Sequence, residues 1–447
     1  RHPVYTDGPL IHNRQMMEVL TGEGIREVGD YTSEAKLAVN GSTDANAVMV
    51  VRAHGISPER RAYLKSLGME FRDATCPDVG IIAGKVRMHA KKGFRTVIFG
   101  DPKHPEVMGL LGYAEGLGHV ISNPADIDAL PMQEFNTFAH ASKHAGKMHA
   151  CGHDGHTAML LAAAKHFSKH RDFDGTVYLI FQPAEEGGGG ALKMMADGLF
   201  TRFPCDMIFA AHNMPGMPTG QLVFRQGPAM ASSDYASVTL KGKGGHGAMP
   251  HLAIDPVVAA ASIVMALQTV VSRNVDPLHP AVVTVGALSA GHANNVIPAT
   301  AQLELSVRAL DPAARAQLES RIKAVIEGQA NSYGLTADIS WRQGYAVLVN
   351  NDQATQFAID VANTMAPAAG VNPQGPMLMG SEDFAFMLQQ VPGCYFLIGN
   401  GAGDGHGACM VHNPGYDFND DILSVGAEFW TTLALAFFSK PPKGETP

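Results

Sequence analysis

Short apolar runs alternate with mixed polar and apolar stretches along residues 48–130 of the chain. Residues 47–51 and 96–100 are apolar over the length of a strand, which predicts two buried strands. Residues 58–67 mix charged and apolar positions and predict a helix between them. This alternation is typical of an α/β fold.

The same alternation returns after residue 148. Residues 157–167 predict an apolar helix, and residues 176–181 and 207–211 predict two strands. A pair of glutamates follows the first of these strands, and His212 ends the second. Ligands of open α/β sheets gather beyond the carboxyl ends of strands, so this placement predicts a site there.

Residues 233–345 follow a different pattern and predict a separate small unit. Its predicted elements are a strand, a helix, two strands, a helix and a strand, at residues 235–241, 255–273, 281–288, 301–309, 312–333 and 336–343. This βαββαβ order matches a small α+β sandwich. After Tyr345 the α/β pattern resumes, with a helix near 353–365 and a strand at 394–398. The small unit is therefore predicted to be inserted into an α/β domain that the chain leaves and re-enters.

Composition limits the partners and the compartment. The net charge of −9 argues against a nucleic-acid partner held through phosphate contacts. No long charge-free apolar run is present, so no membrane partner is expected. The five cysteines are scattered and odd in number, which does not make a disulfide framework. A reducing cytoplasm is the predicted compartment.

Thiol, imidazole and carboxylate side chains recur beside the predicted strands. Residues 151–156 include Cys151, His153, Asp154 and His156, and Glu185, Glu186, His212 and His412 follow later. These are the ligand types that first-row divalent metals prefer. Each position alone has an ordinary structural explanation, such as a histidine in a turn or a solvated helix start. Together they predict a metal site.

The chemistry also accounts for a second glutamate. If one carboxylate of the adjacent Glu185 and Glu186 binds metal, it cannot freely move protons, whereas a neighbour held just off the metal can take a proton from water and return it to a leaving amine. The glycines at 187–190 are a weak match to a phosphate cradle, because no Gly-Lys-Ser/Thr follows them.

Residues 125–447 closely resemble the metal-dependent amidohydrolases that include hippurate hydrolase, N-acyl-amino-acid hydrolases and auxin-conjugate hydrolases. The resemblance rests on stretches in the family's order, namely residues 125–131, 148–156, 181–187, 245–248, 295–298, 379–384 and 412–420. It implies hydrolysis of the amide bond of an N-acyl amino acid. It also implies a lid and dimerisation role for the inserted unit, and therefore a homodimer.

The resemblance implies a role for each matching side chain. Two divalent ions (zinc, manganese, nickel or cobalt) would be held by the five ligands Cys151, His153, Glu186, His212 and His412. The catalytic residues would be Glu185 as general base and acid, Asp128 as the orienting carboxylate and His246 as the oxyanion-stabilising group. The substrate carboxylate would be held by Asn294 or Asn295 and by Arg308. Four other histidines are predicted to support the ligands from behind or to be structural, and not to bind metal, namely His149, His156, His292 and His406.

Residues 1–122 resemble a different enzyme, 4-hydroxy-3-methylbut-2-enyl diphosphate reductase, an iron–sulfur enzyme of isoprenoid synthesis. The matching stretches are residues 8–13, 51–55, 73–77 and 104–107. The resemblance implies three diphosphate-binding histidines, a proton-relay glutamate and the middle cluster cysteine, at His12, His54, His104, Glu106 and Cys76. A cluster needs three or four thiolates, so an iron–sulfur cluster is expected only if this reductase-like part were complete.

The predicted fold class is therefore α/β, a partial reductase-like module followed by a metallohydrolase domain that carries the inserted unit. The predicted domains are residues 1–124, residues 125–232 with 346–447, and residues 233–345. About 100 residues that normally begin the hydrolase domain are missing before the changeover near 122–131, a size typical of part of a domain. Three functions stay open: an amidohydrolase, an iron–sulfur reductase, and an inactive chimera of the two.

Overall fold

A computed structural model describes residues 4–7, 14–29, 47–51, 55–92, 96–99, 104–121 and 128–439. The chain divides into two compact units, Arg1–Ile127 and Asp128–Pro447. The elements of the first unit are β1 (Val4–Asp7), α1 (Arg14–Gly22), β2 (Ile25–Gly29), β3 (Val48–Val51), α2 (Pro58–Ser66), β4 (Glu70–Asp73), α3 (Pro77–Ala90), β5 (Thr96–Phe99), α4 (Pro105–Tyr113) and β6 (Gly118–Ile121).

The first unit is built on a parallel sheet of four short strands in the order β2-β1-β3-β4. Met49 and Val51 on β3 are fully buried and share a core cluster with Leu64 of α2. Helix α2 begins where the sequence predicts, because the Ser57 side chain accepts a hydrogen bond from the Arg60 N–H. The predicted α/β alternation is therefore confirmed in this unit.

The second unit contains both the α/β part and the inserted part. Its elements are α5 (His153–Lys169), α6 (Glu185–Gly188), α7 (Gly190–Ala196), α8 (Leu199–Arg202), β7 (Ile208–Pro215), β8 (Leu222–Val223), β9 (Gly227–Met230), β10 (Asp234–Lys241), β11 (Gly245–His246), α9 (Pro256–Asn274), β12 (Ala281–Ala290), β13 (Val296–Ile297), β14 (Thr300–Ala309), α10 (Pro312–Ser332), β15 (Thr336–Gln343), β16 (Leu348–Asn350), α11 (Asp352–Met365), β17 (Val371–Asn372), α12 (Phe384–Leu388), β18 (Gly393–Gly401) and α13 (Leu423–Ser439). Short 3-10 turns lie at Pro250–Leu252 and Asp420–Ile422.

The inserted part is an antiparallel sheet in the order β12-β14-β10-β15 with α9 and α10 packed on it. Side chains on β14 alternate between buried and outward positions, so that Leu303, Leu305 and Val307 face the helices. All six elements of the predicted βαββαβ order are present. We refer to this part, residues 233–345, as the lid unit.

The α/β part contains a four-stranded sheet in the order β17-β8-β18-β7. Strands β7 and β18 run parallel, and β18 is buried along its whole length. Phe224, Phe396 and Phe429 pack together between this sheet and α13. Strand β7 lies at the edge of this sheet, and its pairing with β18 fixes the positions of its side chains.

Two details of the predicted strands are wrong. Residues 176–181 do not form a strand, and Tyr178 within them is 38% exposed. An apolar run indicates a tendency to be buried, but a strand also needs a neighbouring strand to pair with. The described sheet ends at β7, so residues 176–181 have no such neighbour in it. Strand β7 also continues past its predicted end, because Leu397 of β18 pairs with His212 and extends the ladder. His212 therefore lies within β7 instead of after it.

Two helical segments, α9 and Asp420–Ser439, which contains α13, are long and apolar enough to cross a membrane by length and composition alone. Core helices of globular proteins pass the same test. Helix α9 buries Ile263, Leu267 and Val270 against the lid sheet, and α13 buries Phe429 and Leu433 in the α/β core.

The lid unit joins the α/β part through two adjacent segments, residues 232–234 and 344–346, which we call the connector. The Gly344 N–H donates to the Ser233 carbonyl at 2.8 Å, and the Ser233 N–H donates to the Tyr345 carbonyl at 3.0 Å. A Cβ atom on Gly344 would lie 2.5 Å from the Ser233 carbonyl oxygen, so this close approach requires glycine.

A buried ion pair locks the connector onto the lid unit. Asp234 is 1% exposed, and its two carboxylate oxygens accept hydrogen bonds from Nε and Nη2 of Arg315 at 2.8 and 2.6 Å. The Gly344 N–H approaches the same carboxylate at 3.3 Å. Because the two hydrogen bonds are parallel, they fix the orientation of the Arg315 side chain relative to Asp234 as well as its distance.

We expect Arg315→Leu to lower the free energy of unfolding by about 3–5 kcal/mol, because it leaves the buried Asp234 carboxylate without its partner. Urea denaturation followed by fluorescence measures the change. Arg321→Leu, on the exposed side of the same helix, is the control and should shift stability by less than about 0.5 kcal/mol. Equal effects of the two variants would contradict the assignment.

Candidate metal centre

The predicted thiol and the first predicted imidazole flank the start of α5. Gly152, the N-cap residue, has a φ of 102°, in the left-handed region that favours glycine. A Cβ atom there would collide with the Asn213 side chain and lie 2.5 Å from Tyr416 Oη. This tight turn sets the directions in which Cys151 and His153 project, and both are buried.

The two glutamates lie in a turn, residues 182–191, which we call the glutamate loop. Ala184, Gly187 and Gly189 adopt positive φ values of 57°, 75° and 63°. A Cβ atom on Gly190 would collide with the Pro183 carbonyl, so the loop closes only with glycine there. The glycine run therefore serves to fold back the chain that carries the carboxylates.

The five predicted ligands converge into two groups that share one sulfur. Cys151, His153 and His212 form the first group, and Cys151, Glu186 and His412 form the second, with the ligand atoms of each group within 4.8 Å of one another. The Cys151 Sγ atom lies 3.3 Å from His212 Nε2. A donor common to two groups suits a pair of adjacent cations.

The imidazoles present their free nitrogens to this cluster. His212 Nδ1 donates to the Asn213 carbonyl at 2.6 Å, which leaves the Nε2 lone pair facing Cys151. His153 Nδ1 faces the Asp128 carboxylate at 3.5 Å, which leaves its Nε2 atom for the cluster. Hydrogen bonding through the distal nitrogen is the usual way a protein orients a metal-binding histidine.

The carboxylate of Glu186 provides a second indication of a cation site. Its Oε1 atom is buried and lies 2.9 Å from His412 Nε2, and it has no further partner among the described residues. This contact lowers the pKa of Glu186 and raises that of His412. A buried oxygen with an unused lone pair is costly unless a cation or donor meets it. The donor set and this incompletely paired oxygen both fit a metal.

Burial and crowded carboxyl groups shift the ionisation of the centre in the metal-free protein. Burial, with Glu186 and Glu185 nearby, raises the pKa of the Cys151 thiol far above its usual range. Burial and the neighbouring His153 lower the pKa of His212 to about 4, so its ring is neutral at neutral pH. Burial and the nearby Glu382 carboxyl hold the pKa of Glu185 well above its ordinary value of 4.5. A cation would reverse the penalty on the thiolate and the carboxylates.

Asp128 lies behind the ligands, in the place where the family resemblance implies an orienting carboxylate. Its Oδ2 atom accepts a hydrogen bond from the Glu185 N–H at 2.5 Å and lies 3.5 Å from His153 Nδ1. One carboxylate therefore positions both an imidazole and the backbone of the glutamate loop.

Two buried acids, Glu382 and Asp383, join the centre, although no role for them was predicted from the sequence. Their carboxylates and that of Glu185 lie within 4.8 Å of one another. Asp383 accepts hydrogen bonds from Gln182 Nε2 at 2.5 Å and from the Ala191 N–H at 2.9 Å, so it holds both ends of the glutamate loop. The sequence signal for these acids was their adjacency within residues 379–384. It was not enough to predict a role, because Glu185, which they approach, lies far away in sequence.

His156 bonds to the backbone of β7. Its Nε2 atom accepts a hydrogen bond from the Asn213 N–H at 2.9 Å, which steadies β7 beside His212, a predicted ligand. Burial and the two neighbouring rings lower the pKa of His156 well below its ordinary value. His406 lies away from the cluster and pairs with Asp417 at 2.9 Å.

The remaining predicted site residues belong to the lid unit. His246 is exposed on β11, and no hydrogen bond in the described part of the chain joins it to the metal ligands. Asn294 and Asn295 are exposed before β13. Arg308 on β14 donates to Ser381 Oγ at 2.9 Å and so reaches the segment that carries Glu382 and Asp383.

The reductase-like residues lie in the first unit. Cys76 precedes α3, and His104 caps α4 by accepting a hydrogen bond from the Glu106 N–H at 3.3 Å. His12 and His54 lie outside the described residues. Cys76 is the only cysteine in the sequence before Cys151, which is too few thiolates for a cluster within this unit.

Comparison with known families gives two overlapping matches. Residues 124–436 match the Peptidase family M20/M25/M40, and residues 1–159 match the LytB protein family. The overlap begins inside the predicted changeover near 122–131.

Individual relatives support both resemblances. The hippurate hydrolase of Campylobacter jejuni is 42% identical over 313 residues, which cover 70% of this chain and 80% of that enzyme. The crystal structure of a dinuclear metal binding peptidase of the M20 family from Bacillus subtilis matches with 30% identity and a TM-score of 0.59, over 77% of this chain and 82% of the other. The 4-hydroxy-3-methylbut-2-enyl diphosphate reductase of Opitutus terrae is 73% identical over 135 residues, but the chain spans only 47% of its length. Both family resemblances predicted from the sequence are confirmed.

We expect the metal-free protein to lose stability as pH rises from about 5 to about 8. The raised pKa of Glu185 means that the folded state keeps a proton that the unfolded chain releases above about pH 4.5. The resulting loss of folding free energy is absent at pH values below 4.5 and grows as pH rises toward the raised pKa of Glu185. Urea midpoints measured in chelator at both pH values should differ less in Glu185→Gln than in the wild type.

The control is the same pair of measurements on the wild type with saturating zinc, where bound cations favour the ionised carboxyls and flatten the dependence. Identical pH dependence in chelator-treated wild type and Glu185→Gln would show that Glu185 is not the group responsible.

Proposed function

The chain belongs to the Peptidase family M20/M25/M40, and we propose that it hydrolyses the amide bond of N-acyl amino acids. The observation that carries the proposal is the pair of ligand groups sharing Cys151, with the Glu185 carboxylate beside them. The relative from Campylobacter jejuni is a hippurate hydrolase, and hippurate is an amino acid acylated on its nitrogen.

We assign the binding of two divalent cations to Cys151, His153, Glu186, His212 and His412. Support comes from the sulfur that the two groups share and from the Nε2 atoms of His153 and His212. The buried Glu186 Oε1 atom, which has an unused lone pair, gives further support. When bound, such cations polarise the scissile carbonyl and activate a water molecule. A thiolate with imidazoles suits zinc, and manganese, nickel and cobalt are compatible with the same donors.

Glu185 is the proposed proton carrier. It stands outside the two groups that share Cys151, and its carboxylate lies within 4.8 Å of ligand atoms of His153 and Glu186. It would take a proton from the attacking water and deliver it to the nitrogen of the leaving amino acid. Asp128 fixes its backbone, so the carboxylate has a defined starting position.

The lid unit is the proposed source of substrate contacts. Arg308 has a planar fork that matches a carboxylate, and its Nη1 and Nη2 atoms now donate to Ser381 Oγ and Tyr235 Oη at 2.9 and 3.4 Å. Asn294 or Asn295 would assist it with the substrate carboxylate. His246 would stabilise the developing oxyanion, in its own site or in that of a partner subunit.

We expect the zinc-, manganese-, nickel- or cobalt-loaded protein to hydrolyse hippurate and related N-acyl amino acids. Glu185→Gln should lower kcat by about 10²–10⁴-fold, since it removes the proton carrier but not the metal ligands. Release of the free amino acid measures the rate, and elemental analysis measures bound metal. Glu327→Gln, exposed on α10, is the matched control and should keep wild-type activity.

Equal rates for Glu185→Gln and the wild type, with two metal ions bound to each, would contradict the assignment of the base. A wild type that binds no metal and unfolds without cooperativity would instead favour the inactive chimera. The iron–sulfur alternative has little support, because the reductase-like unit offers Cys76 alone.

A homodimer through the lid unit is the proposed assembly. Strand β12 is the edge of the lid sheet in the described residues, and its Val282 and Leu288 are 38% and 46% exposed. Met265 on the neighbouring α9 is 70% exposed. An apolar edge strand is an aggregation hazard unless another chain covers it, and a second copy would do so.

We expect Val282→Lys with Leu288→Lys to convert a dimer to a monomer in sedimentation experiments, because charge on an edge strand opposes pairing. Thr336→Lys, exposed on β15 at the opposite edge of the sheet, should leave the assembly unchanged. A wild-type protein that is already monomeric at micromolar concentration would remove the basis for the proposal.

The proposed compartment is the cytoplasm. All five cysteines are free, and Cys151 is needed as a metal ligand instead of a disulfide partner. A reducing environment keeps such a thiol available.

A further inference from the structure

The hydroxyl group of Tyr345 bridges two points of the glutamate loop. It donates a hydrogen bond to the Glu185 carbonyl and accepts one from the Gly189 N–H at 3.2 Å. Tyr345 lies 156 residues or more from these partners along the chain. The contact is therefore tertiary and belongs to the way the lid unit meets the α/β part.

The backbone of Tyr345 is fixed in the connector. Its N–H donates to Ser233 Oγ at 3.0 Å, and its carbonyl accepts from the Ser233 N–H at 3.0 Å. Its ring meets Phe386 of α12 edge to face, with 6.2 Å between the centroids. Burial raises the pKa of Tyr345 to about 12, so the hydroxyl remains protonated and able to donate.

Three side chains hold the glutamate loop among the described residues. Asp128 and Asp383 come from the α/β part and bond to the loop at Glu185 and at its two ends. Tyr345 comes from the connector. It is thus the member of this set whose own backbone lies in the connector, whereas Asp383 meets the lid unit only through the hydrogen bond from Arg308 to the neighbouring Ser381.

We propose that Tyr345 is a positioning residue that transmits the orientation of the lid unit to the Glu185 carboxylate. A rotation of the lid unit about the connector displaces the backbone of Tyr345, and the hydroxyl carries the Glu185 carbonyl and the Gly189 amide with it. The proton carrier is then correctly placed only when the lid unit has the matching orientation. The inference rests on the proposed function for its catalytic consequence, but the mechanical coupling stands on the hydrogen bonds alone.

The coupling is tested first without any activity measurement. We expect Tyr345→Phe to raise amide hydrogen exchange in peptides covering residues 182–191 by about five- to a hundredfold, the effect of losing two neutral hydrogen bonds. Tyr333→Phe, which removes an exposed hydroxyl from the same unit, is the control and should leave this exchange unchanged. Unchanged exchange in Tyr345→Phe would overturn the proposal.

A second pair of variants tests transmission through the connector. Ser233→Ala removes the acceptor of the Tyr345 N–H and loosens the connector without touching the glutamate loop. Its effect on exchange in residues 182–191 should be present with tyrosine at position 345 and lost when combined with Tyr345→Phe. Equal effects of Ser233→Ala in both backgrounds would show that the hydroxyl does not carry the coupling.

Kinetics then test the catalytic consequence on the metal-loaded protein. We expect Tyr345→Phe to lower kcat by about tenfold while KM stays within about twofold and metal content is unchanged, because the base is misplaced and substrate contacts are kept. A raised KM with unchanged kcat would overturn the role in positioning. An inactive wild type would defeat the proposed function, and the exchange measurements would still decide the coupling.

Discussion

The whole centre depends on how buried negative charge is neutralised. Cys151, Glu185, Glu186, Glu382 and Asp383 converge from segments far apart in sequence, and burial opposes the ionised form of each. His412 and His153 offset part of this charge at Glu186. The thiol, imidazole and carboxylate donors suit divalent cations, whose binding would offset the rest and would be coupled to folding of the segments that supply the donors.

The cost of assembling these groups is visible in the backbone around them. Asp128, Ala184 and His412 are non-glycine residues with positive φ, at 54°, 57° and 62°. Each carries or adjoins a side chain of the centre. Such conformations persist only where surrounding contacts over-determine them, as the hydrogen bond from the His412 N–H to the Ala150 carbonyl at 2.6 Å does. At these three positions the placement of side chains in the centre requires a backbone conformation that non-glycine residues rarely adopt.

Local patterns made much of the fold predictable and indicated the candidate ligands. The lid unit was predictable because strands such as β14 alternate buried and outward positions and both of its helices begin at an aspartate cap, such as Asp311 before α10, whose side chain accepts a hydrogen bond from the Ala314 N–H. The ligands stood in short stretches rich in thiol, imidazole and carboxylate. The clamp formed by Asp383 and the contact made by Tyr345 were not predictable, because each joins residues more than 150 positions apart. The strand predicted at residues 176–181 was wrong for the same reason, because strand pairing depends on tertiary structure and cannot be predicted from composition.

The absence of a strand at residues 176–181 changes what holds the glutamate loop in place. A strand leading into the loop would have fixed Glu185 and Glu186 through a ladder of backbone hydrogen bonds, whereas the described sheet ends at β7. The loop is held instead by side chains, with Asp128 at its centre, Asp383 at its two ends and Tyr345 from the connector. Side-chain contacts are few and individually modest, so each weighs more here than it would beside a continuous ladder. Placement of the proposed base therefore depends on three residues outside the ligand set.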